Sequence, residues 1–267
     1  MKLFYRESGK GKPLIILHGL YGSSDNWVSI AKELEKYFRV INVDQRNHGQ
    51  SPHSPDHTYE LIANDLLELL NDLNIEKAIF LGHSMGGKAV MQFSIKHPHR
   101  VNSQIVVDIS PWSHLVGNEQ SAQIVSEHKK IIEGLKAIPI DSITSRKEAD
   151  EILARFIKGE IVRQFLLKNL KREQDGSFTW KLNLSSISNN LTNMMIGIVP
   201  ENTNDINSIR TLFIKGDLSN YIPTENDERL KDIFPNSSII NINGAGHWVH
   251  AEKPKEFINA ISTFLKY

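Results

Sequence analysis

Six short apolar runs, at residues 14–17, 40–43, 78–81, 105–109, 212–214 and 239–242, each stop at a cluster of Gly, Asp, Asn or Ser. None shows strict polar alternation, so a strand made from any of them must be covered on both faces. That is the condition of a parallel sheet between two helical layers. The covering helices are visible too: Ile62, Leu66, Leu69, Leu70 and Leu73 recur at three- and four-residue steps, as do Phe257, Ile258, Ile261, Phe264 and Leu265. Strand and helix alternate through about residue 110, which gives right-handed βαβ units and the α/β class.

The alternation stops after Ser110 and resumes near Thr211. Between them Ile124, Ile131, Ile132 and Leu135 form one helical stripe, and Ile161, Phe165, Leu166 and Leu170 another. Ser145-Arg146-Lys147-Glu148 reads as a capping-box start, and Asp175-Gly176 as a turn before Phe178. A structureless loop of that length is foreign to a compact domain, so we expect a helical insertion of roughly 70–90 residues. The expected division is a core of residues 1–111 and 205–267 with a helical cap at 112–204. The cap would sit over the C-terminal edge of the sheet, where open α/β sheets bind ligands.

Composition narrows the partners. The 267 residues suit one large domain with an insertion, and 31 basic against 31 acidic side chains leave no excess for a nucleic-acid backbone or an anionic membrane. Without cysteine there is no disulfide, thiol nucleophile or Cys-ligated metal. Lys2, Arg6 and Glu7 fall where a signal peptide needs an apolar run, and no window approaches a membrane span, so a soluble cytoplasmic protein is expected. The pairs His53/His57 and His247/His250 have helical spacing, but no H-E-x-x-H occurs and no metal is expected.

Gly82-His83-Ser84-Met85-Gly86 lies between the run at 78–81 and a helical stretch. In that setting G-x-S-x-G is a nucleophile elbow: a strained turn projects the serine hydroxyl, and the helix N-terminus offers free N–H groups. A serine needs a base, and His247 in Gly244-Ala245-Gly246-His247-Trp248 follows the last predicted strand on a glycine-rich loop. His53, His57, His114 and His128 have polar neighbours in sequence and are expected at the surface. Two acids, Asp108 and Asp217, both end strands and both preserve the order Ser, acid, His, so spacing leaves the choice open. His18-Gly19-Leu20-Tyr21-Gly22 could turn the Leu20 N–H toward the point reached by the Met85 N–H, making an oxyanion hole. Residues 44–51, Asp44 to Ser51, read as a hydrogen-bonded structural turn.

Taken together, His18-Gly19, Asp44-x-Arg46-x-x-Gly49-x-Ser51, Gly82-His83-Ser84-Met85-Gly86-Gly87 and Gly246-His247 through Glu252-x-Pro254 resemble the α/β-hydrolase superfamily over nearly the whole chain. Within it, the segments 44–49, 107–111 and 163–170 resemble the YbfF-type esterases. That likeness implies hydrolysis of short acyl esters and acyl-CoA thioesters without a cofactor. It also implies Asp108 as the acid. The superfamily's usual acid stands three residues after the strand-ending glycine, where this chain has Ser219, and the subfamily keeps an acid at the position of Asp108.

The expected reaction is acyl transfer to Ser84 with His247 as base and Asp108 as its partner, the N–H groups of Leu20 and Met85 holding the oxyanion. Trp112, Phe165, Trp180 and Trp248 are the expected wall residues for a small ester or thioester substrate. Carbon–carbon hydrolases or lyases of this fold, and ligand receptors with weak hydrolase activity, are the alternatives. The sequence does not speak to oligomeric state.

Overall fold

The computed structural model describes residues 1–115, 119–198, 206–222 and 227–267. A seven-stranded sheet organises the core in the order β1-β3-β2-β4-β5-β8-β9. The strands are β1 (Tyr5–Ser8), β2 (Lys12–Leu17), β3 (Phe38–Val43), β4 (Ala78–His83), β5 (Val101–Val107), β8 (Arg210–Gly216) and β9 (Ser237–Ile242). Every pairing is parallel except β1 with β3.

The apolar runs lack alternation because alternate residues enter two different cores. Ile15, Leu17, Phe80, Val106 and Phe213 pack on one side, with α2 (Tyr59–Asp72) and α3 (Met85–Lys96). Leu14, Ile16, Leu81, Ile105 and Ile214 pack on the other, with α1 (Val28–Leu34) and α11 (Pro254–Leu265). Each helix begins where local chemistry allows: the Thr58 hydroxyl accepts from the Leu61 amide at the start of α2, and Pro254 opens α11 where its missing N–H costs nothing. Strand β1 has no counterpart in the sequence reading. It is a half-exposed edge strand carrying Arg6 and Glu7, the charged composition that keeps an edge from pairing with other chains.

Between β5 and β8 the chain forms α4 (Glu119–Lys136), α5 (Arg146–Leu153), α6 (Glu160–Leu167), a hairpin of β6 (Leu170–Arg172) and β7 (Phe178–Trp180), then α7 (Leu184–Asn189) and α8 (Leu191–Met195). Ser145 caps α5 by accepting from the Glu148 amide, while Glu148 turns to the Thr144 amide instead of closing the reciprocal bond. The expected junction at 204–205 lies outside the described residues. Among the described residues no helix is long and apolar enough to cross a membrane.

The turn at residues 44–51 binds this segment to the core. Its internal frame is polar and buried: Asp44 accepts from the Ser24 and Gln50 amides, and Arg46 holds Asp65 through two hydrogen bonds of 2.6 and 2.9 Å. Asn47, at φ 66, then reaches outward in three contacts. Its carbonyl accepts from the Asn183 amide, its Oδ1 from Asn183 Nδ2, and its Nδ2 donates to Ser186 Oγ. Through Asn47 the turn docks the inserted helices.

Candidate active site

Ser84 sits between β4 and α3 at φ 53 and ψ −119, a conformation that L-residues adopt only when their surroundings impose it. The flanking glycines show what imposes it. A Cβ on Gly82 would lie 2.2 Å from the Gly86 carbonyl oxygen, and one on Gly86 would lie 2.4 Å from that of Leu17. Only bare backbone lets the strand, the turn and the helix pass so closely. Met85 is the first residue of α3, so its N–H has no acceptor within the helix. In the turn after β2, the Tyr21 amide donates to His48 and the Gly22 amide to the Gly19 carbonyl, whereas the Leu20 amide has no protein acceptor among the described residues.

His247 is held from several sides. Its Nδ1 lies 2.7 Å from Asp108 Oδ2, and its carbonyl accepts from His83 Nε2 at 2.8 Å. Glu252 accepts from the amides of Gly246 and Trp248, one on either side of it, at 2.7 and 3.1 Å. That bracket explains why the glycine–histidine pair and Glu252 belong to one motif. The Tyr221 ring stacks on the imidazole with centroids 3.8 Å apart and planes 18° from parallel.

Asp108 is fully buried at φ 48, just past the end of β5. Its carboxylate also accepts from the Gly216 amide at 3.1 Å and from the Ser219 hydroxyl. The carboxylate only accepts, so Nδ1 is the His247 nitrogen that donates to it. Neither Nε2 nor Ser84 Oγ has a protein partner among the described residues, and both side chains line one cavity of about 420 Å³. Asp217 is elsewhere: its Oδ1 accepts from the Gly244 amide at 2.7 Å. Ser219, standing where the superfamily usually has its acid, donates to the Asp108 carboxylate just past the end of β5.

The inserted segment supplies most of the apolar wall, with Ile131, Phe156, Val162 and Phe165 facing the cavity. Phe165 and Trp248 are among the residues lining the cavity, their rings 5.7 Å apart. Trp112 and Trp180 are not, and that expectation is corrected. Trp112 lies where the chain leaves the core, its carbonyl bonded to Lys88 Nζ at 3.0 Å and its ring under the Arg229 guanidinium at 4.8 Å. Trp180 is fixed by pairing with Leu170 in the hairpin.

The expectation that His57, His114 and His128 are surface residues is likewise overturned; all three are buried. Polar neighbours in sequence misled because contacts from far along the chain set the burial, as Asn47 does beside His57 and Tyr21 and Tyr221 do on either side of His128. Burial, the chief cause in every case, takes His18 and His128 down to about 4 and His48, His114 and His250 down to about 3, and pushes His57 and His83 well below the ordinary imidazole value. These folded values lie below the unfolded one, so the unfolded chain binds more protons in the window between them. Their stabilisation is complete above about pH 6.5 and is lost as pH falls through the folded values of about 4 and about 3. At pH 5 the five histidines held at about 3 or 4 cost roughly 2 kcal/mol each, which together is comparable with the whole stability of a domain, about 5–15 kcal/mol. Cooperative unfolding is expected between about pH 6 and pH 4.5, followed by far-ultraviolet circular dichroism; a chain still folded at pH 4 contradicts the prediction.

A strained serine at a strand–helix turn, a histidine bonded to a buried carboxylate and a cavity common to both describe a hydrolase of the α/β type. The family model for the alpha/beta hydrolase fold matches residues 12–126. An sn-1-specific diacylglycerol lipase ABHD11 from Danio rerio is 40% identical over 267 residues, spanning 97% of this chain and 80% of its own. Esterase YbfF from Escherichia coli K12 is 34% identical over 253 residues, spanning 95% and 92%. The solved structure of a marine microorganism esterase superposes with a TM-score of 0.92 at 45% identity, covering 98% of this chain and 99% of the other. The chain belongs to the α/β-hydrolase superfamily, as a hydrolase of the esterase/lipase type. Its branch is that of the YbfF-type esterases.

Proposed function

We propose that this hydrolase is a serine esterase that cleaves carboxylic esters or acyl thioesters with short acyl chains, acyl-CoA among them, through an acyl-enzyme. Ser84 is the nucleophile, His247 the general base and Asp108 the acid that orients and charge-balances the imidazole. The observation that carries the reading is the 2.7 Å contact between Asp108 and His247 beside a serine held at φ 53 on the wall of the same cavity.

In the first half-reaction Ser84 Oγ attacks the carbonyl carbon while His247 Nε2 takes its proton. The N–H groups of Leu20 and Met85 hold the oxyanion, His247 returns the proton to the departing alcohol or thiol, and water repeats the sequence on the acyl-serine. Residues 112–204 act as a cap whose apolar side chains receive the acyl chain. A volume of about 420 Å³ is near the small end of ligand pockets, about 300–1,000 Å³, which favours short acyl groups.

A panel of p-nitrophenyl and CoA esters of graded chain length tests the substrate class. Expected are a fluorophosphonate adduct on Ser84, a burst of p-nitrophenol from the acetate ester, and kcat/KM that rises with the first few methylenes and then falls. Turnover by a protein that forms no fluorophosphonate adduct on Ser84 would overturn the acyl-enzyme.

A further inference from the structure

His128 stands on α4 with its ring buried in the cavity wall, between two phenols of the core. Its Nδ1 meets the Tyr21 hydroxyl at 3.2 Å, and its Nε2 meets the Tyr221 hydroxyl at 3.3 Å. Tyr221 is the ring stacked on His247. Tyr21 follows Leu20 at φ 65, and its carbonyl accepts from Asn169 Nδ2 of the inserted segment at 2.7 Å. A single side chain of the insertion thus joins the turn after β2 to the ring lying on the candidate base.

The chemistry of that junction is polarised. A neutral imidazole donates through one nitrogen and accepts at the other, so one tyrosine hydroxyl must donate to His128 while the other accepts from it. A leucine in its place would leave two hydroxyls in a buried site without their partner, and Tyr221 would be free to leave the face of His247.

We infer that His128 is a positioning residue, through which the inserted helices press Tyr221 onto the His247 ring and so aim the base. The inference rests on the reading of His247 as general base. Stacking restricts the imidazole to the plane that its bond to Asp108 requires. It also places an aromatic face against the imidazolium that forms as Ser84 loses its proton. Both effects belong to the transition state, so their loss falls on kcat rather than on KM.

The test uses p-nitrophenyl acetate, whose acyl group carries a single methyl, and the variants His128→Leu, His128→Gln, Tyr221→Phe and the double variant. His128→Leu is expected to lower kcat about tenfold or more, with KM within about threefold. His128→Gln, which keeps one donor and one acceptor, restores most of the rate. Tyr221→Phe loses as much as His128→Leu, and Tyr221→Phe with His128→Leu is no worse than the poorer single variant, because both break one link. An unchanged kcat, a loss confined to KM, or losses that multiply in the double variant overturns the inference. Should His128→Leu fail to fold, Tyr221→Phe decides, since it keeps the ring and removes only the hydroxyl. Full turnover by Ser84→Ala, assayed alongside, overturns both the acyl-enzyme and this role. A dead Ser84→Ala with an unaffected His128→Leu overturns this role alone.

Discussion

Ser84→Ala is expected to lower kcat for p-nitrophenyl esters by on the order of 10⁴ to 10⁶, leaving only what oxyanion stabilisation and binding supply. The change removes one oxygen and keeps the Cβ, so the turn, braced by the near contacts of Gly82 and Gly86, holds its shape. Thermal stability should therefore change little while the fluorophosphonate adduct disappears from the mass spectrum. Activity within tenfold of the parent enzyme would move the nucleophile to another residue. The size of the expected loss follows from covalent catalysis: without the hydroxyl, His247 has no attached nucleophile to deprotonate, and water must be captured from solution.

Asp108→Asn should cost about 10⁴ in kcat, and Asp217→Asn no more than a few fold, with kcat and the burst rate as readouts. The contrast comes from the donors around each carboxylate. Asp108 accepts from His247, Gly216 and Ser219 at once. A carboxamide there turns an N–H₂ group on at least one of those donors, and the imidazole loses its tautomer or its orientation. Asp217 accepts from the Gly244 amide through Oδ1, and an asparagine Oδ1 accepts the same bond. The reverse result would place the acid after β8, in the neighbourhood of the superfamily's usual position.

Much of the architecture was legible because parallel strands buried on both faces leave an unmistakable pattern. The six apolar runs correspond to β2, β3, β4, β5, β8 and β9, and the two helical stripes to α2 and α11. Edge strand β1 escaped because half its residues face solvent and their composition follows from that exposure. The serine turn could be read because its requirement is local: glycine must stand two residues to either side, whatever the rest of the chain does. Spacing alone could not separate Asp108 from Asp217. Resemblance favoured the former, and the geometry puts that carboxylate against the imidazole.

The cap wall was the least legible part. Phe165 and Trp248 face the cavity and Trp112 and Trp180 do not, although nothing in their immediate sequence distinguishes them. Lys88 holds the backbone of Trp112 where the chain leaves the core, and strand pairing with Leu170 fixes Trp180. Tyr221 had no signal, and His128 one that misled, for the same reason. The amino-acid order alone therefore determined what depends on neighbours along the chain: the strands with two apolar faces, the covering helices, the strained serine and the glycine loop bearing His247. Folding decided which distant groups meet, because a hydrogen bond reaches about 3 Å. Asp108 and His247 come within that reach across 139 positions of sequence only through the crossovers of the sheet.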